Sequence, residues 1–180
     1  MPVGTLGALK GLGPQTLEQA GAQVMLSNLY HLSLRPGIDR IEQLGGIHAF
    51  TGWRKPILTD SGGYQVFSLA ELRKVDEGGV SFKSVHDGSP CRFTPENVVE
   101  MQARLGVDIA MVLDECPPWP VTHAEAKEAL ERTQRWAERA LEHRHGAKDS
   151  GGVGVPTVRN WDGALFGICL LYTSPSPRDS

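Results

Sequence analysis

Short apolar runs alternate with stretches of helical spacing through the first half of the chain, the pattern of β/α units feeding a parallel sheet. Gln23-Val24-Met25-Leu26-Ser27 predicts a strand, preceded by a short helix from about Pro14. In that helix Leu17 turns inward and Gly21 stands as the C-cap. Ile38, Ile41 and Leu44 form one apolar helical stripe, which Gly45-Gly46 ends. Pro56-Ile57-Leu58-Thr59 predicts the next strand. From Val80 to Phe93 the alternation breaks: Val80 to Val85 alternates with period two and Asp87-Gly88 is a turn signal. This segment predicts a hairpin, inserted over one end of the main sheet.

Further along, Thr94-Pro95-Glu96 opens a helix, with Thr94 as cap and Pro95 at its first position, where a missing N–H costs nothing. Val98, Met101 and Leu105 face inward and Gly106 closes it. Asp108 to Leu113 is nearly continuous apolar sequence, as in a parallel strand covered on both faces. A long helix is predicted from Thr122 to about His145, with a Thr122/Glu125 capping box. Its inward stripe is read as Ala126, Leu130, Thr133, Ala137 and Leu141. Gly151 to Gly154 predicts a loop, Ala164 to Ile168 a strand, and Thr173 to Ser180 a tail unable to pack.

At 180 residues and 40% hydrophobic content the chain can build one real core. A net charge of −3 argues against a small dedicated RNA-binding module but leaves room for a local patch on an enzyme. Cys91, Cys116 and Cys169 are scattered, without zinc-ligand spacing or a disulfide framework. The opening Met1-Pro2-Val3-Gly4-Thr5 lacks a secretory pattern, and no apolar run approaches the roughly 20 residues of a membrane span. A cytoplasmic protein without membrane contact is expected.

Ligands of β/α architectures bind at the C-terminal ends of the strands. Three predicted strands end in polar groups: Ser27-Asn28-Leu29-Tyr30-His31, Asp60-Ser61-Gly62-Gly63-Tyr64-Gln65 and Asp114-Glu115-Cys116. Their convergence on one mouth is the argument for an active site. Ionised Asp60 and Asp114, acceptors only, suit the N1–H and amine donors of a guanine edge. Gly62 and Gly63 allow close backbone approach, and Tyr64 offers a stacking face.

At these residues the sequence resembles tRNA-guanine transglycosylase, in its bacterial form. The matching stretches are Met1 to Thr5 with Lys10-Gly11, Asn28 to Leu32 with Leu34-Arg35-Pro36-Gly37, and Ile57 to Gln65. Asp87-Gly88-Ser89 and Asp114-Glu115-Cys116-Pro117 follow in the family's order, and the resemblance runs to about Ile168. It implies a (β/α)8 barrel, of which residues 1–168 cover the first half. It also implies exchange of the wobble guanine of GUN-anticodon tRNAs for a 7-deazaguanine base through a covalent ribosyl-enzyme. Carried over, Asp60 matches the proton acceptor, Ser61, Gly62, Gly63 and Tyr64 the rest of the base-binding loop, Asp114 the second base-recognising carboxylate, and Asn28 a residue near the ribose.

The family's nucleophilic aspartate, its zinc ligands and most tRNA contacts lie outside this chain, and full-length members resemble homodimers. The family carries Gly-Asn-Thr-Tyr-His where this chain has Ser27-Asn28-Leu29-Tyr30-His31, and Gln-Gly-Gly where it has Cys169-Leu170-Leu171. Because the family has further residues before Met1, a trimmed start is expected; the lost Gln-Gly-Gly implies a foreign tail over residues 169–180, and a half barrel with open edges implies little activity.

Blander readings stand beside these. Asp60-Ser61-Gly62-Gly63 also occurs as the nucleophile loop of trypsin-like proteases, but that needs an all-β scaffold with His and Asp well upstream. Asp114 suits a strand-end cap, Glu115 an ion pair, Cys116 a small buried hydrophobe and Tyr64 core filler. His31 reads as a structural hydrogen-bonding residue, and His143 and His145 as solvated helix-end charges. Two whole-protein alternatives remain: a non-catalytic transglycosylase-like subunit, and an unrelated barrel hydrolase using Asp60 and Asp114 as acid and base.

Overall fold

The computed structural model describes residues 1–69, 73–149 and 161–168, with side chains to residue 146 in the second stretch. The elements in order are α1 (Pro14–Gln19), β1 (Met25–Asn28), α2 (Leu29–Leu34), α3 (Ile38–Gln43), α4 (Gly46–Thr51), β2 (Ile57–Asp60) and α5 (Gly63–Leu69). Then come β3 (Arg73–Asp76), β4 (Gly79–Lys83), β5 (Pro90–Phe93), α6 (Pro95–Leu105), β6 (Ile109–Met111), α7 (His123–Asp149) and β7 (Ala164–Phe166). Strands β1, β2, β6 and β7 form a four-stranded sheet in that order, and every pair in it is parallel. Strands β3, β4 and β5 form a separate antiparallel sheet. The loop of Gly151 to Gly154 and the tail lie outside the described residues.

The parallel sheet supplies the centre of the core. Met25 and Ile57 are buried opposite each other and Ala110, level with Thr59, is buried two residues further along, all in one cluster with Val98, Val99 and Leu105 of α6. Helix α6 starts where the sequence places it. Thr94 Oγ1 accepts the Asn97 N–H at 3.2 Å, Asn97 Oδ1 accepts the Thr94 N–H at 2.8 Å, and Gly106 ends the helix at φ 71°.

Three expectations change. Gly45-Gly46 does end α3, both glycines at positive φ, but Gly46 also opens a further short helix, α4, which the sequence pattern did not predict. Leu44 consequently sits at the helix end, exposed. The hairpin has a third strand, β3, whose charged Arg73-Lys74-Val75-Asp76 sequence gives no apolar alternation. In α7 the buried face is Ala129, Thr133, Trp136 and Ala140, while Leu141 is exposed. Trp136 decides that rotation, because burying one large ring outweighs burying several small residues.

The small sheet is fastened at both ends. Phe82 and Phe93 meet edge to face at 5.1 Å, and Phe82 lies 5.5 Å from the Tyr30 ring of α2, so the sheet packs at the C-terminal ends of β1 and β2. At the β3–β4 turn, Glu77 accepts two hydrogen bonds from Arg135 at 2.7 and 2.9 Å. The Glu77 carbonyl accepts from Trp136 Nε1 and from Arg139, both on α7.

Candidate active site

Adjacent parallel strands in register deliver their last residues side by side. Asn28 pairs with Asp60 in the β1–β2 register, and the Asn28 amide donates to Asp60 Oδ2. Gln65 Nε2 donates to the same oxygen at 3.1 Å. The other oxygen, Oδ1, accepts the main-chain N–H of Leu29 at 3.0 Å and of Gly62 at 3.2 Å. Both oxygens are therefore doubly used, which fills the acceptor capacity of a carboxylate. Burial pushes the Asp60 carboxyl above its ordinary value, and these four N–H donors pull it back only in part. A half-buried carboxyl with a raised pKa is suited to taking and returning a proton.

The second carboxylate is deeper. Asp114, 5% exposed, accepts the Ser61 hydroxyl at 2.8 Å and the Cys116 thiol at 3.0 Å. The Ser61 oxygen in turn accepts the Gly63 N–H at 3.1 Å. One loop, Ser61-Gly62-Gly63, thus holds Asp60 through its Gly62 N–H and Asp114 through its serine. A side chain at either glycine would collide: a Cβ on Gly62 would lie 2.7 Å from Phe93, and one on Gly63 2.6 Å from the Asp114 carbonyl oxygen. Gly62 also sits at φ +79°, where glycine is favoured.

The remaining residues sort by exposure. Tyr64 is 66% exposed at the start of α5, on the rim of the site, so it is not core filler. Ser61 is buried and its hydroxyl serves Asp114, which makes it a residue that positions the acid. Cys116 does more than fill space: burial and the Asp114 charge push its thiol far up, so it stays protonated as a donor and unsuited as a nucleophile. Glu115 forms an ion pair with Arg132. His31 packs edge-on against Tyr30 at 5.1 Å. His145 is exposed, whereas His143 is half-buried with its Nε2 shielded, so the solvated reading holds for the former alone. Sequence reasoning gave Gln65 no role, although it follows directly on the Ser61-Gly62-Gly63-Tyr64 motif. Among the described residues no group of three His, Cys, Asp or Glu side chains is placed to hold a metal ion.

The sequence model of one family, described as queuine tRNA-ribosyltransferase, matches residues 1–170, nearly the whole chain. The chain belongs to this family. A queuine tRNA-ribosyltransferase of Geobacillus kaustophilus is 51% identical over 155 residues, which is 86% of this chain and 41% of that protein. One from Thermus thermophilus is 47% identical over 178 residues, 99% of this chain and 43% of the relative. One from Herpetosiphon aurantiacus reaches 55% over 141 residues, 78% of this chain and 36% of the relative. The chain spans about two-fifths of the length of these relatives. All three carboxylate-bearing and amide-bearing strand ends fall within the family match.

Proposed function

We propose that this chain is the part of a tRNA-guanine transglycosylase that carries the base-binding half of the active site. The observation behind it is that Asp60, the last residue of β2, and Asp114, three residues past the neighbouring parallel strand β6, are held by one glycine-rich loop. Two acceptor-only carboxylates offered together complement the donor edge of guanine, and 7-deazaguanine bases keep that edge. Asp60 accepts a proton from the incoming base, Asp114 recognises it, Tyr64 covers its face, and Asn28 orients Asp60 beside the ribose. Because Gln65 and Asn28 occupy Asp60 Oδ2 in the free protein, a bound base displaces one of these amides.

On this reading residues 1–168 form the first part of a (β/α)8 barrel in which β3–β5 are an insertion. The remaining strands, the nucleophilic aspartate of the covalent ribosyl-enzyme step and the zinc ligands come from the length the relatives have beyond this chain. So do the homodimer contacts and most of the surface for GUN-anticodon tRNAs. Among the described residues no helix is long and apolar enough to cross a membrane.

The experiment joins residues 1–168 to the remaining length of the Thermus thermophilus relative and measures incorporation of labelled guanine into tRNA. Exchange is expected, with loss on Asp60→Asn or Asp114→Ala, and none is expected from the 180-residue chain alone. Undiminished exchange in the Asp114→Ala protein would refute the pocket. Guanine, unlike simple sugars, should also protect the joined protein against thermal unfolding, which separates this reading from a sugar hydrolase.

A further inference from the structure

The pairing of β2 with β6 is short: Leu58 with Ile109 and Thr59 with Ala110. Strand β6 turns its even-numbered residues toward β7, since Ala164 N–H donates to the Asp108 carbonyl and Val112 N–H to the Phe166 carbonyl. By strand alternation the Met111 N–H and C=O face β2. Continued one step, the ladder would set Met111 against Asp60. Instead a side chain from α6 takes the Met111 carbonyl, and also accepts the Met111 N–H at the last rung of the β2–β6 ladder. Gln102 Oε1 accepts the Met111 N–H at 3.1 Å, and Gln102 Nε2 donates to the Met111 carbonyl at 2.9 Å. The same amide accepts the Thr59 hydroxyl at 2.8 Å and donates to the Val98 carbonyl at 3.1 Å. Gln102 is fully buried, and these four bonds use its whole capacity.

We infer that Gln102 is a positioning residue of the base pocket. Its amide stands in for the strand where β2 and β6 part, and so sets the gap between the segments that carry Asp60 and Asp114. Thr59, the residue before Asp60, ties one bank of the opening to the amide; Met111, three residues before Asp114, ties the other. An apolar side chain there would leave the Met111 carbonyl without a partner and let the two banks drift. This inference rests on the function proposed above only in what the gap is for. The gap itself is a property of the chain.

The test is amide hydrogen exchange in the 180-residue chain, read at Gly62 and Gly63, whose N–H groups are bonded to Asp60 and Ser61 and do not touch Gln102. Gln102→Met is compared with Val99→Ala, a buried truncation on the same helix, at conditions of equal global stability. Exchange at both glycines should quicken by about tenfold or more in the Met protein, the scale of one lost buried hydrogen bond, and little in the Ala control. Gln102→Glu should return toward wild type as the pH is lowered, because the neutral acid regains a donor beside its acceptor.

Equal acceleration in the Val99→Ala protein would overturn the inference, as would unprotected glycines in the wild type. Calorimetric titration of guanine into the same proteins separates the two proposals. A wild-type chain that protects both glycines but binds no guanine counts against the function and leaves the positioning role intact.

Discussion

Replacing Gly63 by alanine tests the contact on which the whole site depends. The added Cβ would lie 2.6 Å from the Asp114 carbonyl oxygen, 2.6 Å from its Oδ1 and 3.2 Å from Ser61 Oγ. Ordinary contact begins near 3.4 Å, so the two segments must part by about 0.8 Å. Neither obstacle yields easily. One is main chain, and the other is a carboxylate fixed by Ser61 and Cys116. Overpacking of this kind costs about 1–3 kcal/mol. Alanine returns about 0.5–1 kcal/mol through its helical preference and the stiffer unfolded chain. A net loss centred on about 1 kcal/mol follows, which at a typical urea slope lowers the unfolding midpoint by ~0.5 M. Fluorescence of the buried Trp53 and Trp136 reports the transition. The control is Gly167→Ala, where a Cβ meets nothing within 4 Å and the midpoint should hold or rise slightly. Identical midpoints for the two variants would show that the Ser61-Gly62-Gly63 loop does not lie against Asp114, and the proposed base pocket would fail with it.

Other consequences are as direct. Because burial raises the Asp60 carboxyl above its ordinary 3.8, the folded state binds more protons between that value and the raised one. Stability then falls as pH rises through this window, and Asp60→Asn should flatten the dependence in thermal melts. Asn28 and Gln65 can turn their amides to face the new one, so Asp60→Asn should not unfold the chain. The protonated Cys116 thiol should resist iodoacetamide near pH 8 in the folded chain and react once urea is added, as peptide mass spectrometry would show. Thr94→Ala should cost about 1 kcal/mol by removing the α6 cap, with Thr94→Ser retaining most of it, measured as thermal midpoints.

The strands that carry the site were legible because β1, β2 and β6 lie in short apolar runs, and each run gives way to polar residues, after Leu113 in the last case. What those polar groups bond to was not. Asn28 read as a neighbour of the ribose, yet in the free protein its amide holds Asp60. Gln102 showed no signal, since a glutamine between Met101 and Ala103 looks like surface until the fold turns it inward. Strand β3 escaped for a different reason. Its residues are mostly charged, and it exists because β4 offers a free edge and Arg92 meets Asp76 across the sheet at 2.7 Å. In α7 the stripe through Ala126 and Leu141 was a sound helical pattern turned to one side of the buried face: it shares Thr133 with that face, Ala137 packs partly against the core, and Leu141 is exposed.

The grip of α7 on Glu77 bears on how the polypeptide can be dissected. Arg135, Trp136 and Arg139 lie more than fifty positions beyond the turn they hold, so the small sheet is stitched to the long helix rather than hung from the loops that enter and leave it. Excising residues 73–93 would strip the cover from an indole and strand the Arg135 guanidinium, leaving Arg139 only its pair with Glu96. Any minimal domain cut from this protein must therefore keep sheet and helix together, and a graft of either alone onto another scaffold has to bring a substitute for the other.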